Sequence, residues 1–303
     1  MAAPIKDGID RIASSVFNID RFSYNDQGSI SGFFGKGADK SDTPFLFDGP
    51  LELMDLAMTL QMASMSMHGV VKKDIHAQLA DKEWHVAPKI AGIAEAVIVA
   101  DEVFYCRMIE DCLPKGGLYT ALNDMNEMLK KLIEHAKTEL NPCVRQIHSA
   151  RINIAVVWKR AIARLIRMHC VNKDELSWKS YSRFYFDGSE ILVKVGELSL
   201  PHMYEYQGTV ELLTVTQLTE QLNLAYSEAL KAKKAHASLG PAVSGKTETV
   251  KDFGKKLGRW VIVVNCSDEL TRENFGDIVK AMTAGRTWCV FDEFNRVSTE
   301  VST

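Results

Sequence analysis

GPAVSGKTETV, Gly240 to Val250, fits the pattern G-x-x-x-x-G-K-[ST] in its first eight residues. That pattern has a mechanical meaning. Glycines let the backbone wrap closely round phosphates, N–H groups and a helix N-terminus face the anion, the lysine reaches the β- and γ-phosphates, and the hydroxyl binds Mg²⁺. A chain of 303 residues matches so short a pattern by chance on the order of one time in a hundred, so the flanking residues must decide.

Downstream the order is the one a phosphate loop requires. Val250, Phe253 and Leu257 line one helical face that Gly258 stops, and WVIVVNC, Trp260 to Cys266, is a continuous apolar strand. Phe275, Ile278, Val279 and Met282 predict a further helix, and TWCVFDEF, Thr287 to Phe294, a second strand tipped by Asp292 and Glu293. Paired carboxylates at a strand end suit ATP hydrolysis, with Asp292 holding Mg²⁺ and Glu293 orienting or deprotonating the attacking water. Upstream, KKAHASLG is only mildly apolar for the strand expected before the loop. Val243 is β-branched where backbone freedom helps.

Net charge of −3 and a pI near 6.3 give no general attraction to nucleic acid or anionic membrane. The most apolar interior run, Ile90 to Phe104, is interrupted by Glu95 and Asp101, and the N-terminus lacks an apolar run of signal-peptide length, so neither membrane insertion nor export is expected. The six cysteines show neither CxxC nor zinc spacing and read as reduced thiols, and the eight histidines show no metal-ligand pattern.

Residues 1–50 are punctuated by glycine and proline and contain strand-length apolar pieces, SISGFF and TPFLF. From Leu51 helical periodicity takes over, through a stripe of Met54, Met58, Met62 and Met65 that reads as core filling rather than a partner surface. Helices follow over Pro88–Cys112, Leu118–Leu140 and Pro142–Val171. The arginines and lysine of ARINIAVVWKRAIARLIRMH read as a solvated face. RFYFDGSEILVKV reads as a hairpin with Asp187-Gly188 in the turn, VELLTVT as a strand, and Thr219–Lys234 as a helix. The fold class expected is a mainly α-helical region followed by a partial α/β phosphate-loop module.

KTETVKD, NCSD and FDEFNR, in that order and spacing, resemble the first AAA+ module of dynein heavy chains. The resemblance continues upstream through SWKSYSRFYF and YEYQGTVELLTVTQLTEQ, is strong over residues 178–299, and extends faintly to FDGPLELMDLAMTLQM and DKEWHVAPKIAGIAEAV. It implies a turn-rich N-terminal segment 1–50, a helical linker 51–200 and the N-terminal half of an AAA+ module 201–303. It further implies ATP and Mg²⁺ as cofactors. Gly240, Pro241, Ala242, Val243, Ser244, Gly245, Lys246, Thr247 and Glu248 would hold the phosphates, Thr247 and Asp292 the metal, and Glu293 would be catalytic. Val215 and Leu218 would lie over the adenine, and Asn265 would restrain Glu293 until ATP is positioned. Implied partners are microtubules and the other dynein subunits, intermediate and light intermediate chains, in the cytoplasm, on the cytoskeleton or in an axoneme.

Val243, Ser244, Gln217 and Gln221 stand where the family has glycine, threonine, proline and arginine. The chain stops before the sensor strand, helical lid and neighbouring arginine finger on which phosphoryl transfer depends. Weak MgATP binding and negligible turnover are expected of these residues alone. A non-catalytic, dynein-like interaction protein is the rival reading; an unrelated phosphate-loop ATPase is opposed by NCSD.

Overall fold

The computed structural model describes residues 3–81, 92–208, 213, 215–241, 243–267, 269–285 and 288–298. An N-terminal helix, α1 (Ala3–Val16), which the turn-rich composition did not suggest, packs on an antiparallel sheet of β1 (Arg21–Tyr24), β2 (Ile30–Phe34) and β3 (Phe45–Leu51). Asp10 ties the two together, accepting from the Phe22 amide at 3.0 Å and the Tyr24 hydroxyl at 3.1 Å.

Four long helices follow: α2 (Leu56–Ala80), α3 (Ala94–Cys112), α4 (Leu118–Ala136) and α5 (Pro142–Arg167). Their starts are written locally. Asp55 caps α2 by accepting from Met58 N at 2.9 Å, and Asn141 caps α5 by accepting from Cys143 N at 3.0 Å, with Pro142 at the first helical position. Residues 88–91 of the helix expected from Pro88 lie outside the described residues.

Helix α3 is central, packing on α2, α4 and α5. Its acidic residues Asp101, Glu102 and Glu110 point inward and each finds a donor. Asp101 takes the Arg151 guanidinium at 2.8 and 3.1 Å, Glu102 takes the Trp158 indole N–H at 2.7 Å, and Glu110 takes that of Trp178 at 2.8 Å with the Tyr185 hydroxyl at 2.6 Å. Buried charge survives where it is paired. This corrects the reading of α5 as carrying a wholly solvated basic face, because Arg151 is fully buried. Arg160 and Arg167 do face solvent, while Arg164 reaches Glu220 at 2.6 Å.

The methionine stripe is a second correction. Met54, Met58 and Met65 are exposed, at 53%, 47% and 68%. The inward face of α2 is Thr59, Ala63, Met67, Val71 and Ile75, which packs against α3 and β3.

After α6 (Leu176–Lys179) comes an antiparallel meander of β4 (Arg183–Phe186), β5 (Ile191–Val195) and β6 (Leu198–Pro201). The expected hairpin is there, Phe186 opposite Ile191, and Gly188 at φ +101° supplies the left-handed turn position. Next are α7 (Gln217–Lys231), capped reciprocally by Thr216 and Thr219, then α8 (Lys246–Lys256), β7 (Val261–Asn265), α9 (Arg272–Gly285) and β8 (Trp288–Asp292). The strands β7 and β8 are parallel, as a helical crossover demands. Residues 234–240 form no strand before the loop, in keeping with their weak apolarity, and residues 209–212 and 214 of the expected VELLTVT strand are outside the described set.

Among the described residues the fold is thus mainly helical with three small sheets, compatible with a helical region plus an α/β module. One apolar core is continuous from Ala13 to Leu257 and includes Tyr226 and Phe253. All six cysteines are free, and among the described residues no helix is long and apolar enough to cross a membrane and no His/Cys/Asp/Glu cluster has metal-site geometry.

Candidate functional site

Helix α8 starts directly from the loop at Gly240–Gly245, with Gly245 at φ +80° as its N-cap. A left-handed residue here lets the chain turn straight into the helix, whose first N–H groups have no partner within it. Thr249 closes the first turn, its amide at 2.9 Å and its hydroxyl at 2.8 Å from the Gly245 carbonyl. Within the loop the Lys246 ammonium folds back, donating to the carbonyls of Pro241 at 2.6 Å and Gly240 at 3.0 Å, and Ser244 Oγ donates to Pro241 O at 2.9 Å. Val243 sits at φ +59° with its side chain wholly in solvent, a conformation that a β-branched residue resists. Ala242 lies outside the described residues.

Parallel pairing aligns the C-terminal ends of β7 and β8, with Asn265 opposite Asp292 and Cys266 N donating to Asp292 O at 2.9 Å. The Asp292 carboxylate faces α8 and accepts from Thr247 Oγ1 at 3.0 Å, while its other oxygen accepts from Glu293 N at 3.0 Å. The nearby Cys266 thiol is pushed up by burial and by the charge of Asp292. Glu293 leaves the strand at φ +54° and caps a short 3-10 turn, Phe294–Arg296, so that its carboxylate lies 3.5 Å from Arg296 Nε.

The fold therefore brings Gly240, Pro241, Ser244, Gly245, Lys246, Thr247 and Asp292 together, with Glu293 adjoining. Asn265 is beside Asp292 in register and exposed; among the described residues its side chain makes no hydrogen bond. Glu248 turns along the surface to Lys251. Val215 lines a cleft with Trp158, Tyr181, Asn223 and Lys256, the last residue of α8, and Leu218 is exposed. Sequence reasoning assigned nothing to Arg296; its place three residues after Glu293 was the available signal.

Residues 202–303 match a family model described as the hydrolytic ATP binding site of dynein motor region. The human dynein axonemal heavy chain 1 is 30% identical over 241 residues, covering 78% of this chain and 6% of that protein. The human dynein axonemal heavy chain 8 is 27% identical over 268 residues, 86% of this chain and 6% of that one, and the rat dynein axonemal heavy chain 5 gives 27% over 268 residues, 86% and 8%. The chain belongs to the dynein heavy chain family. Across these relatives the likeness to dynein heavy chains thus reaches well upstream of the ATP-binding region, into the helical residues. The chain spans 6% to 8% of the length of these relatives.

Proposed function

We propose that residues 201–303 are the N-terminal half of a dynein AAA+ module that binds MgATP, that residues 51–200 are its helical linker, and that residues 1–50 are the segment leading into it. In the whole motor, nucleotide binding and hydrolysis would drive linker movement on microtubules, with intermediate and light intermediate chains as partners, in the cytoplasm or an axoneme. The observation that carries this reading is the contact between Thr247 Oγ1 and Asp292 Oδ2 at 3.0 Å. It juxtaposes a hydroxyl on the loop helix and a carboxylate on the second strand, two hard oxygen donors of the kind Mg²⁺ prefers. Thr247 and Asp292 would hold that ion, which when bound neutralises phosphate charge.

Lys246, released from the Gly240 and Pro241 carbonyls, would pair with the β/γ-phosphates, and the free N–H groups at the start of α8 would receive them. Glu293, adjoining Asp292 at the strand end, would orient water. Its present partner is Arg296, which favours binding over turnover. A titration of MgATP against the wild type and Lys246→Ala tests the reading: saturable binding weakened by about tenfold or more, roughly 1.4 kcal/mol, is expected in the variant.

A non-catalytic dynein-like scaffold is the second reading, favoured by the left-handed Val243. It is the correct one if neither protein binds MgATP.

A further inference from the structure

Residues 202–208, which follow β6, form an irregular strap lying between the upstream residues and the end of α8 remote from the loop. Its backbone and side chains grip both sides. Toward α8, Met203 N donates to Leu257 O at 3.0 Å and Glu205 N to Gly258 O at 3.0 Å. The Glu205 carboxylate accepts from Arg259 Nη1 at 2.8 Å and Trp260 N at 2.8 Å. Away from α8, toward the start of β5, His202 N donates to Ile191 O at 2.8 Å, and the Tyr204 hydroxyl accepts from Ile191 N at 2.9 Å and donates to Glu190 at 3.0 Å. The Tyr206 hydroxyl donates to Asp39 at 2.9 Å and accepts from Lys36 N at 3.2 Å, and Gln207 N donates to Glu95 at 3.1 Å.

This double attachment sets Met203 and Glu205 toward α8 against Tyr204, left-handed at φ +59°, and Tyr206 toward the upstream residues. It leaves the strap little room to absorb a displacement. Both tyrosine rings are buried, and close-packed interiors pass strain on. Glu205 holds two structures at once. Through Trp260 it fixes the turn from α8 into β7, and through Arg259, whose guanidinium stands 6.0 Å from the Trp288 ring, it reaches the first residue of β8. The other ends of α8 and β8 are Lys246 and Asp292, the two elements of the candidate phosphate site.

We infer that the strap 202–208 carries the state of the phosphate site to the upstream residues, and that Glu205 is the positioning residue of that route. The inference rests on the reading of Gly240–Thr247 and Asp292 as a nucleotide site and names how that site communicates. Coupling of this kind is reciprocal, so a strap that transmits nucleotide binding also responds to restraint of the upstream residues.

Amide hydrogen exchange of the full chain, with and without saturating MgATP, tests it beside a binding titration. In the wild type MgATP is expected to slow exchange at Met203 and Glu205, and upstream at Lys36, after β2, and Ile191, at the start of β5, by about fivefold, the low end of measured couplings. Glu205→Gln, which keeps an acceptor for Trp260 N and loses the charge toward Arg259, should bind MgATP within about twofold of wild type while the response at Lys36 and Ile191 disappears. Tyr206→Phe, on the opposite face, should keep the response at Met203 and Glu205 and lose it at Lys36; it carries the test if Glu205→Gln does not fold. A merely structural Glu205 would lower response and affinity together, and that result, or a wild-type response in both variants, overturns the inference. Wild-type binding with no change beyond α8 and β7 also overturns it while leaving the nucleotide site intact. Absence of wild-type binding defeats the site itself.

Discussion

Thr247 and Asp292, 45 positions apart in sequence, meet at 3.0 Å between Oγ1 and Oδ2. The contact is part-buried and at the surface of the module, so its loss should cost little stability and much of the metal dependence. Asp292→Ala is expected to shift the Mg²⁺ concentration needed for nucleotide binding upward by about tenfold or more, with the melting temperature nearly unchanged. An unaltered Mg²⁺ dependence, read by titration at fixed nucleotide, would remove Asp292 from the metal site.

Val243 offers a test of loop strain. A β-branched residue at φ +59° costs on the order of 1–3 kcal/mol, against roughly 0.5–1 kcal/mol of added chain entropy when glycine replaces it. The side chain packs on nothing, being fully exposed. Val243→Gly should therefore hold or slightly raise the melting temperature and tighten MgATP binding about fivefold, in line with the relieved strain. Weaker binding in calorimetry would mean that the valine conformation is the productive one.

Burial of Glu95 predicts a pH effect of defined sign. Desolvation raises its pKa from the usual 4.5 to about 8, opposed by the Gln207 amide and Lys255 and reinforced by Asp39 and Glu205. Between those values the folded chain keeps a proton that the unfolded chain releases, so stability falls as pH rises through that window. Asp39, raised by burial to about 6, acts in the same direction, whereas His202, lowered by burial to about 3, withdraws stability as pH drops below the usual histidine range. Glu95→Gln should flatten the decline between about pH 5 and 8 by on the order of 2–4 kcal/mol. Denaturant melts at both pH values that decline equally in both proteins would show Glu95 to be already ionised.

Gly258 separates backbone strain from steric conflict. At φ +64°, a Cβ there would lie 2.4 Å from His202 Cε1 and 2.5 Å from Nε2, in a ring that is itself buried. Gly258→Ala should destabilise by about 2–4 kcal/mol. Gly116, at φ +61° with nothing within 4 Å of its Cβ, supplies the control, and Gly116→Ala should cost only about 1 kcal/mol. Equal losses in urea unfolding would refute the contact with His202.

Where local signals are strong, the elements were legible in the sequence. Pro142 marks the start of α5, Asp187-Gly188 marks a hairpin, and the apolar runs into Asn265 and Asp292 give the two parallel strands, while α7 starts at Gln217, two residues before the Thr219 expected. The loop Gly240–Gly245 and Asp292 were legible as a pair because the motif fixes their order. What escaped were choices made by tertiary packing. Periodicity placed the methionines on one face of α2 but could not tell that Ala63 and Val71 fit the neighbouring helix better. The inward turn of Asp101 and Arg151 depends on a partner 50 residues away, and no local pattern records it. Val215 and Leu218 were assigned by resemblance alone, since no short motif marks an adenine contact.

The outward methionines of α2 have a chemical consequence. Thioethers at Met54, Met58 and Met65 are open to oxidants, whereas those of Met67 and Met125 are enclosed; sulfoxide formation follows access. Dilute peroxide should therefore mark the first three before the other two, writing a covalent record of which side of α2 meets solvent. Any protein that covered that side would leave its outline as thioethers spared from oxidation.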